Sequence, residues 1–255
     1  MSTNQEKLTP KAKTQERPRR STGRISQATE NYLLSLSILR EDGIAPHISQ
    51  LAEYLRQIPA EEGVGTTLAS VSGMVHRMAR ENLVTVNKEK RVLLTAEGQT
   101  LANHVVRRHR LSERLLVNVL GVPLERAETE AHRLEHGISP ALLEHIERKL
   151  EYPDTCPYGR PIYRSWETES RPELTGVIPL SAATAGIEYV VIRIPDETYS
   201  LLRFLVANKV LPGQRLIVAE VAPYRGVVDL ERNGEQVSVG MEVATRVRVR
   251  PSSNN

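Results

Sequence analysis

Four side chains able to hold a metal ion, Glu128, His132, Glu135 and His136, recur at i, i+4, i+7 and i+8, the spacing that lines residues along one face of an α-helix. That spacing normally marks an apolar stripe turned toward a core. Two imidazoles and two carboxylates buried there without partners would be strongly destabilising. A divalent cation satisfies both kinds of donor at once. The chain is therefore expected to be metal-responsive, which raises the question of what that ion controls.

With 255 residues, 40% of them hydrophobic, the chain can build two small domains, or three if one is a short helical block. No run reaches the roughly 18 apolar residues of a membrane span, and the N-terminal stretch is polar and charged rather than an apolar signal. A soluble cytoplasmic protein with no membrane partner is expected. The lone cysteine, Cys156, excludes an internal disulfide and suits a reducing compartment. It could be a metal ligand, a nucleophile or a small buried residue. The net charge of +3 is unevenly spread: residues 1–24 carry Lys7, Lys11, Lys13, Arg17, Arg19, Arg20 and Arg24 against Glu6 and Glu16. This stretch reads either as a disordered basic arm that touches nucleic-acid phosphates or as a solvated extension.

Apolar periodicity predicts helices over about 26–41, 48–57 and 68–82, with a connector at 57–67 that contains Pro59, Gly63 and Gly65. That connector is long for a helix-turn-helix, whose turn normally takes about three or four residues. Strands near 83–86 and 92–94 flank the polar turn 87–90 and predict a hairpin. Three helices and a hairpin in this order describe a winged helix-turn-helix, expected over 25–95. Its third helix would be the reading helix, presenting Ser70, Ser72, Gly73 and His76 outward while Val71, Val75 and Met78 pack inward. None of the four outward residues makes a bidentate base contact. DNA shape, and phosphate contacts from Lys88, Lys90 and Arg91, are expected to help. The plainer alternative is a solvated helix and hairpin in a protein-binding module.

A helical block is expected over 96–162: a long helix at 96–120 ended by Gly121 and Pro123, the ligand-bearing helix at 124–137, and a third at 140–150 opened by Ser139 and Pro140. Polar residues at 163–178 read as a linker. Residues 179–255 alternate short apolar runs with turns, near 189–194, 214–221, 227–230, 237–239 and 246–249, with one helix at about 197–208. They predict a small β-barrel. The fold class is thus mainly α with a small β domain.

His109 and Glu113 form a second i, i+4 pair on the long helix. If the next helix folds back antiparallel, two neighbouring sites result, one near His109, Glu113 and Glu128, the other near His132, Glu135 and His136. The string from His132 to His136 also matches the H-x-x-E-H signature of a zinc metalloenzyme. Such an enzyme needs a further carboxylate ligand and a cleft for a peptide, and a short helical segment does not provide the cleft.

The sequence 109–116 (HRLSERLL), the sequence 130–136 (EAHRLEH) and the sequence 156–162 (CPYGRPI), behind a winged helix, together resemble the diphtheria-toxin-repressor family of iron- and manganese-dependent repressors. The similarity runs from about Thr29 to residue 162, and 179–255 looks like the SH3-like domain of the longer members. The resemblance implies a homodimer that binds Mn2+ or Fe2+, grips a palindromic operator and represses metal-uptake genes, with no enzymatic activity and no small-molecule substrate. By matching position, the primary site would use Glu135 and His136, with His132, Cys156 and Asn31. The ancillary site would use His109, Glu113 and Glu128, completed by a carboxylate such as Asp196 or Glu197. Two positions depart from the pattern: Asn31 stands where manganese members have Asp and iron members Met, and His132 where they have Glu or Cys. Manganese is the first expectation, since the donors are mostly carboxylate and imidazole, with iron second. A metal-independent adaptor or DNA-binding protein is the remaining alternative, but one Phe and one Trp leave an SH3-like barrel little with which to grip a proline-rich peptide.

Overall fold

Ser26 caps the first helix by accepting a hydrogen bond from Thr29 N, and α1 then runs over Gln27–Glu41 with every residue from Thr29 to Leu39 buried. A helix buried on all sides must lie between other elements, and α1 does so in this computed structural model, which describes residues 25–163, 175–196 and 198–252. The arm expected at 1–24, residues 164–174 of the expected linker, and Glu197 lie outside the described residues.

One side of α1 supplies Tyr32, Leu33, Leu36 and Leu39 to a core shared with α2 (Ile48–Leu55), α3 (Leu68–Arg80) and the antiparallel hairpin of β1 (Val84–Val86) and β2 (Val92–Leu94). The opposite side supplies Leu34 and Ile38, which meet Val105 and Val106 of α4 (Ala96–Arg114) in a separate seam. Helix α4 opens on Thr95, which accepts from Gly98 N. Gly98 is required there, because a Cβ would lie 1.9 Å from Leu83 O. The hairpin base and α4 therefore approach backbone to backbone. The expected long helix does not stay α-helical: after Arg114 it continues as a π turn over Leu115–Val119, and Gly121, at φ +69°, reverses the chain.

Helix α5 (Leu124–Glu135) then packs back along α4, and α6 (Pro140–Lys149) follows on its Ser139 cap. The C-terminal part contains β3 (Ile178–Pro179), β4 (Glu188–Arg193), α7 (Tyr199–Ala207), β5 (Arg215–Ala222), β6 (Val227–Arg232), β7 (Glu235–Gly240), α8 (Met241–Arg246) and β8 (Arg248–Pro251). Its six strands form one antiparallel sheet in the order β3-β8-β4-β5-β6-β7, bent by irregularities at Val191/Arg193 and Val218/Glu220. β3 and β7 do not pair, so the expected barrel is an open ladder among the described residues.

This sheet and the helical block share one apolar core, in which Leu111, Ala127, Ile146 and Tyr158 are continuous with Val191, Leu205, Val218 and Val249. The turn at 156–161 is the wedge between them. Gly159, at φ +87°, lets its backbone approach β4 so closely that a Cβ would lie 1.9 Å from Ile192 O. Beside it, Arg160 is 2% exposed and joins Asp196 at 2.7 Å to Asp42 and Glu41 at the end of α1. Arg110 grips Glu41 with both guanidinium nitrogens, at 2.9 and 2.6 Å. Burial alone would raise the Glu41 pKa, yet Arg110 and Arg160 hold it down to about 2.

Candidate metal centre

α4 and α5 each set side chains along one helical face, and their antiparallel packing brings the two faces together. His109 is the hub. Its Nε2 lies 2.9 Å from Glu128 Oε2 and 3.1 Å from Glu113 Oε1, and its Nδ1 lies 2.9 Å from Glu135 Oε2. His132 Nε2 is 3.1 Å from Glu128 Oε1, while its Nδ1 is 3.5 Å from Glu135 Oε1, too long for a good hydrogen bond. Tyr158 fixes the start of α5 by donating to Leu124 O and accepting from Glu128 N. His136 caps α5 and continues its stripe, with Nε2 3.6 Å from Glu135 Oε1.

Among the described residues, two groups of three have ligand atoms all within 4.8 Å of one another: His109, His132 and Glu135, and His109, Glu113 and Glu128. The two neighbouring sites read from the sequence are thus one continuous cluster that shares His109. Cys156 enters neither group; burial and then the carboxylate of Glu113 push its thiol well above its ordinary pKa, so it is held protonated. Asp196 is engaged by Arg160 through both carboxylate oxygens. Asn31 reaches the cluster edge on α1, where its Nδ2 donates to Glu62 Oε2 at 3.4 Å.

Sequence reasoning missed two carboxylates. Glu30 on α1 lies 2.6 Å from His136 Nδ1 and 2.7 Å from Arg108 Nη2, and Glu62 lies 3.1 Å from His136 Nε2. Glu30 is adjacent to Asn31, which is the one signal that could have drawn it in; Glu62 comes from a connector with no periodicity to place it.

Charges in this cluster compensate one another. Burial would lower the His109 pKa, but Glu128, Glu135 and Glu113 outweigh it and hold the ring well above 6.5. His132 is pushed up to about 9 in the same way, against burial, by Glu128 and Glu135. Burial would raise Glu135, and His109 with His132 instead bring it down to about 2. Glu128 falls well below its ordinary value for the same reason, whereas burial keeps Glu113 raised despite His109.

The residues fit a cation. Glu135 Oε1, Glu113 Oε2, Asn31 Oδ1 and His132 Nδ1 are buried and have no hydrogen-bond partner. Each such buried atom costs about 1–3 kcal/mol if nothing satisfies it. The three oxygens carry lone pairs as they stand and His132 Nδ1 gains one when its ring gives up a proton; they belong to α1, α4 and α5.

The face expected to read DNA is less uniform. On α3, Ser70, Gly73 and His76 are exposed and Ser72 is half-buried. Ser70 is occupied in the helix cap with Thr67, and His76 Nδ1 lies 2.7 Å from Ser72 O. Lys88 and Lys90 stand exposed on the hairpin turn, but Arg91 turns back and donates to Ala45 O at 2.6 Å. The sequence reading passed over Arg77 and Arg80, exposed in the last turn of α3, where Arg77 pairs with Glu81 at 3.0 Å.

The chain is 34% identical over 234 residues to the iron-dependent repressor IdeR of Mycobacterium tuberculosis, covering 88% of this chain and 97% of that protein. It belongs to the iron-dependent repressor family. The family model for the iron dependent repressor metal binding and dimerisation domain matches residues 95–164, and the FeoA domain, an SH3-like module, matches 178–251. The diphtheria toxin repressor of Corynebacterium diphtheriae is 31% identical over 233 residues, covering 88% and 97% of the two chains. A solved manganese-dependent transcriptional repressor in complex with manganese superposes with a TM-score of 0.76 at 27% identity, covering 88% of this chain and all of that one. The family is thus one of metal-dependent transcriptional repressors, and iron and manganese both occur in it. In this member the match at 95–164 takes in His109, Glu113, Glu128, His132, Glu135, His136 and Cys156.

Proposed function

We propose that this chain is a metal-activated repressor of metal-uptake genes that binds a palindromic operator as a homodimer, with Mn2+ as its effector and Fe2+ as the alternative. The observation that carries the reading is the seam of unpartnered lone pairs shared by three helices. Its ligands would be His109, Glu113, Glu128, His132, Glu135 and His136, with Asn31 from α1. When bound, a divalent cation supplies there the positive charge that lets carboxylates and neutral imidazoles from separate helices share one site.

Two of the chain's own features connect that site to DNA. Asn31 lies one residue from Tyr32 and two from Leu33, which anchor the core of the segment 25–95, the division proposed as a winged helix-turn-helix. Leu34 and Ile38 lock the same helix to α4. A change in how α1 sits on α4 therefore turns α3 as a body, and a ligand that prefers one seating shifts the population toward it. In a two-fold dimer built on the block 96–162, two copies of α3 would enter successive major grooves about one helical turn apart. Ser70, Ser72, Gly73 and His76 would face base edges, with Lys88 and Lys90 on phosphates and the sheet of 179–255 bracing the block.

A non-catalytic role is supported by the confinement of the H-x-x-E-H segment. Glu135 is fully buried, and the cavity that reaches Glu128 and His132 has a volume of about 40 Å³, about one water rather than a peptide. No helix of the described residues is long and apolar enough to cross a membrane, which is compatible with a cytoplasmic regulator. Footprinting on genomic fragments tests the proposal: protection of a palindromic site is expected with Mn2+ or Fe2+ and absent with chelator. Protection indifferent to EDTA would overturn it.

A further inference from the structure

The segment 56–67 between α2 and α3 is far longer than the turn of about three or four residues that joins such helices, and it is polar and Gly-containing. A loop of that kind normally stays on the surface. This one folds inward. Pro59, at φ −51°, leads into a single 3-10 turn over Ala60–Glu62, and Gly63, at φ +63°, takes the chain out again. The turn delivers the Glu62 side chain into the protein, where it is 4% exposed.

What receives it is the outer end of the metal seam. Glu62 Oε2 accepts from Gln27 Nε2 and from Asn31 Nδ2 at 3.4 Å, and it lies 3.1 Å from His136 Nε2. Among the described residues Glu62 meets no arginine or lysine, so the burial of this carboxylate rests on two neutral amides and one imidazole. That is weak compensation for a buried charge. Two fully buried neighbours point to what is missing. Asn31 turns its Nδ2 to Glu62 and leaves its coordinating atom, Oδ1, without a partner. Glu135 Oε1, also unpartnered, lies 3.6 Å from the same His136 Nε2. Two carboxylates, from the connector and from α5, thus flank the imidazole at the cap of α5, and the amide of Asn31 on α1 is hydrogen-bonded to the first of them.

We propose that Glu62 is a ligand of the regulatory cation, acting with His136, Glu135 and Asn31, so that the metal grips the connector leading into the DNA-reading helix as well as the helices behind it. The N-cap of α3, Thr67, follows Glu62 by five residues. Fixing Glu62 therefore fixes the entry of α3 directly, in addition to any tilt transmitted through α1. The long connector is then a tether that is slack without metal and taut with it.

The inference rests on the proposed metal site, and the experiment separates the two. Full-length protein, Glu62→Gln and His136→Ala are titrated with Mn2+ while free Mn2+ is followed by electron paramagnetic resonance. Amide hydrogen exchange across 57–67 is measured with and without the ion. Glu62→Gln is expected to bind Mn2+ at least about tenfold more weakly, the lower end of what losing even a supporting group costs. In the unaltered protein Mn2+ is expected to slow exchange across 57–67, and in Glu62→Gln that protection is lost. Equal affinity, or tighter binding by Glu62→Gln, would overturn the proposal, the latter by showing that Glu62 only competes for His136. If Mn2+ leaves exchange across 57–67 unchanged in the unaltered protein, the tether is wrong whatever any variant does. Should Glu62→Gln fail to fold, Glu62→Asp keeps the charge, withdraws it by one methylene and takes the same titration. Wild-type affinity in His136→Ala would instead remove the metal site itself.

Discussion

At the scale of single residues, the candidate site sets protons and metal in competition. An imidazole must be neutral to bind a cation, so binding releases its proton. With His132 pushed up to about 9, against burial, by Glu128 and Glu135, that ring carries a proton at neutral pH in the metal-free protein, and the carboxylates around His109 shift it in the same direction. Mn2+ affinity is therefore predicted to rise with pH between 6.5 and 9, by about tenfold per unit for each proton released. Calorimetry in buffers of different ionisation enthalpy counts those protons. Metal-free stability must run the other way. The His132 pKa is raised on folding, so its contribution is complete below 6.5 and is lost as pH climbs through about 9. The Glu135 pKa is depressed, so its contribution is present above 4.5 and lost as pH falls through about 2. The melting temperature without metal should thus decline from pH 6.5 to 9 while metal affinity increases, and flat profiles in both would refute the shared cluster. The residues of this cluster that lie on α4 and α5 are legible in the sequence, because a helical repeat fixes which side chains share a face. Glu30 and Glu62 are not, since the first sits off the apolar face of α1 and the second is placed by the path of a turn.

Among the elements, α1 carries the argument, because its two faces belong to two different cores. Sequence periodicity marks Tyr32, Leu33, Leu36 and Leu39 as one face but gives no hint that Leu34 and Ile38 are equally buried against α4. A fully buried helix has too little polar surface for periodicity to outline both contacts. The cap at Ser139 is legible from the Pro140 that follows it, and the structure adds Ser26, Thr67 and Thr95, each of which also accepts from a backbone N–H at the start of a helix. The six-residue α8 and two-residue β3 escape because each is too short for its pattern to repeat twice. The contact between hairpin and α4 yields a specific expectation. In Gly98→Ala the new Cβ would meet Leu83 O, and overpacking of that kind costs about 1–3 kcal/mol. Thermal melts should show that loss, and Mn2+ affinity should stay near that of the unaltered protein because Gly98 is two turns and more from His109. A variant as stable as the parent would mean that the hairpin and α4 do not pack this closely.

Across the whole molecule, the C-terminal sheet is part of the framework rather than an appended module. The sheet and helical block share one core, and Arg160 and Arg193 join the end of α1 to the sheet through Asp42, with Arg160 also holding Asp196. Neither the shared core nor this ion network can be read from the sequence, because both depend on the docking of segments far apart in the chain. Arg160→Met removes the cation and leaves the buried Asp196 carboxylate without its arginine, beside the half-buried Asp42 and Glu41. A loss of about 3–5 kcal/mol is predicted, measurable by denaturant unfolding, and a change under 1 kcal/mol would show that the sheet is not held this way. In the proposed mechanism, occupancy of the seam and the DNA-reading geometry are one equilibrium. Linkage then requires reciprocity: whatever factor Mn2+ adds to operator affinity, the operator must add to Mn2+ affinity. The decisive measurement is Mn2+ affinity of the full-length protein with and without saturating operator DNA. Tighter Mn2+ binding is expected on the operator, by the same factor by which Mn2+ strengthens operator binding, and identical Mn2+ affinities in the two states would contradict this coupling.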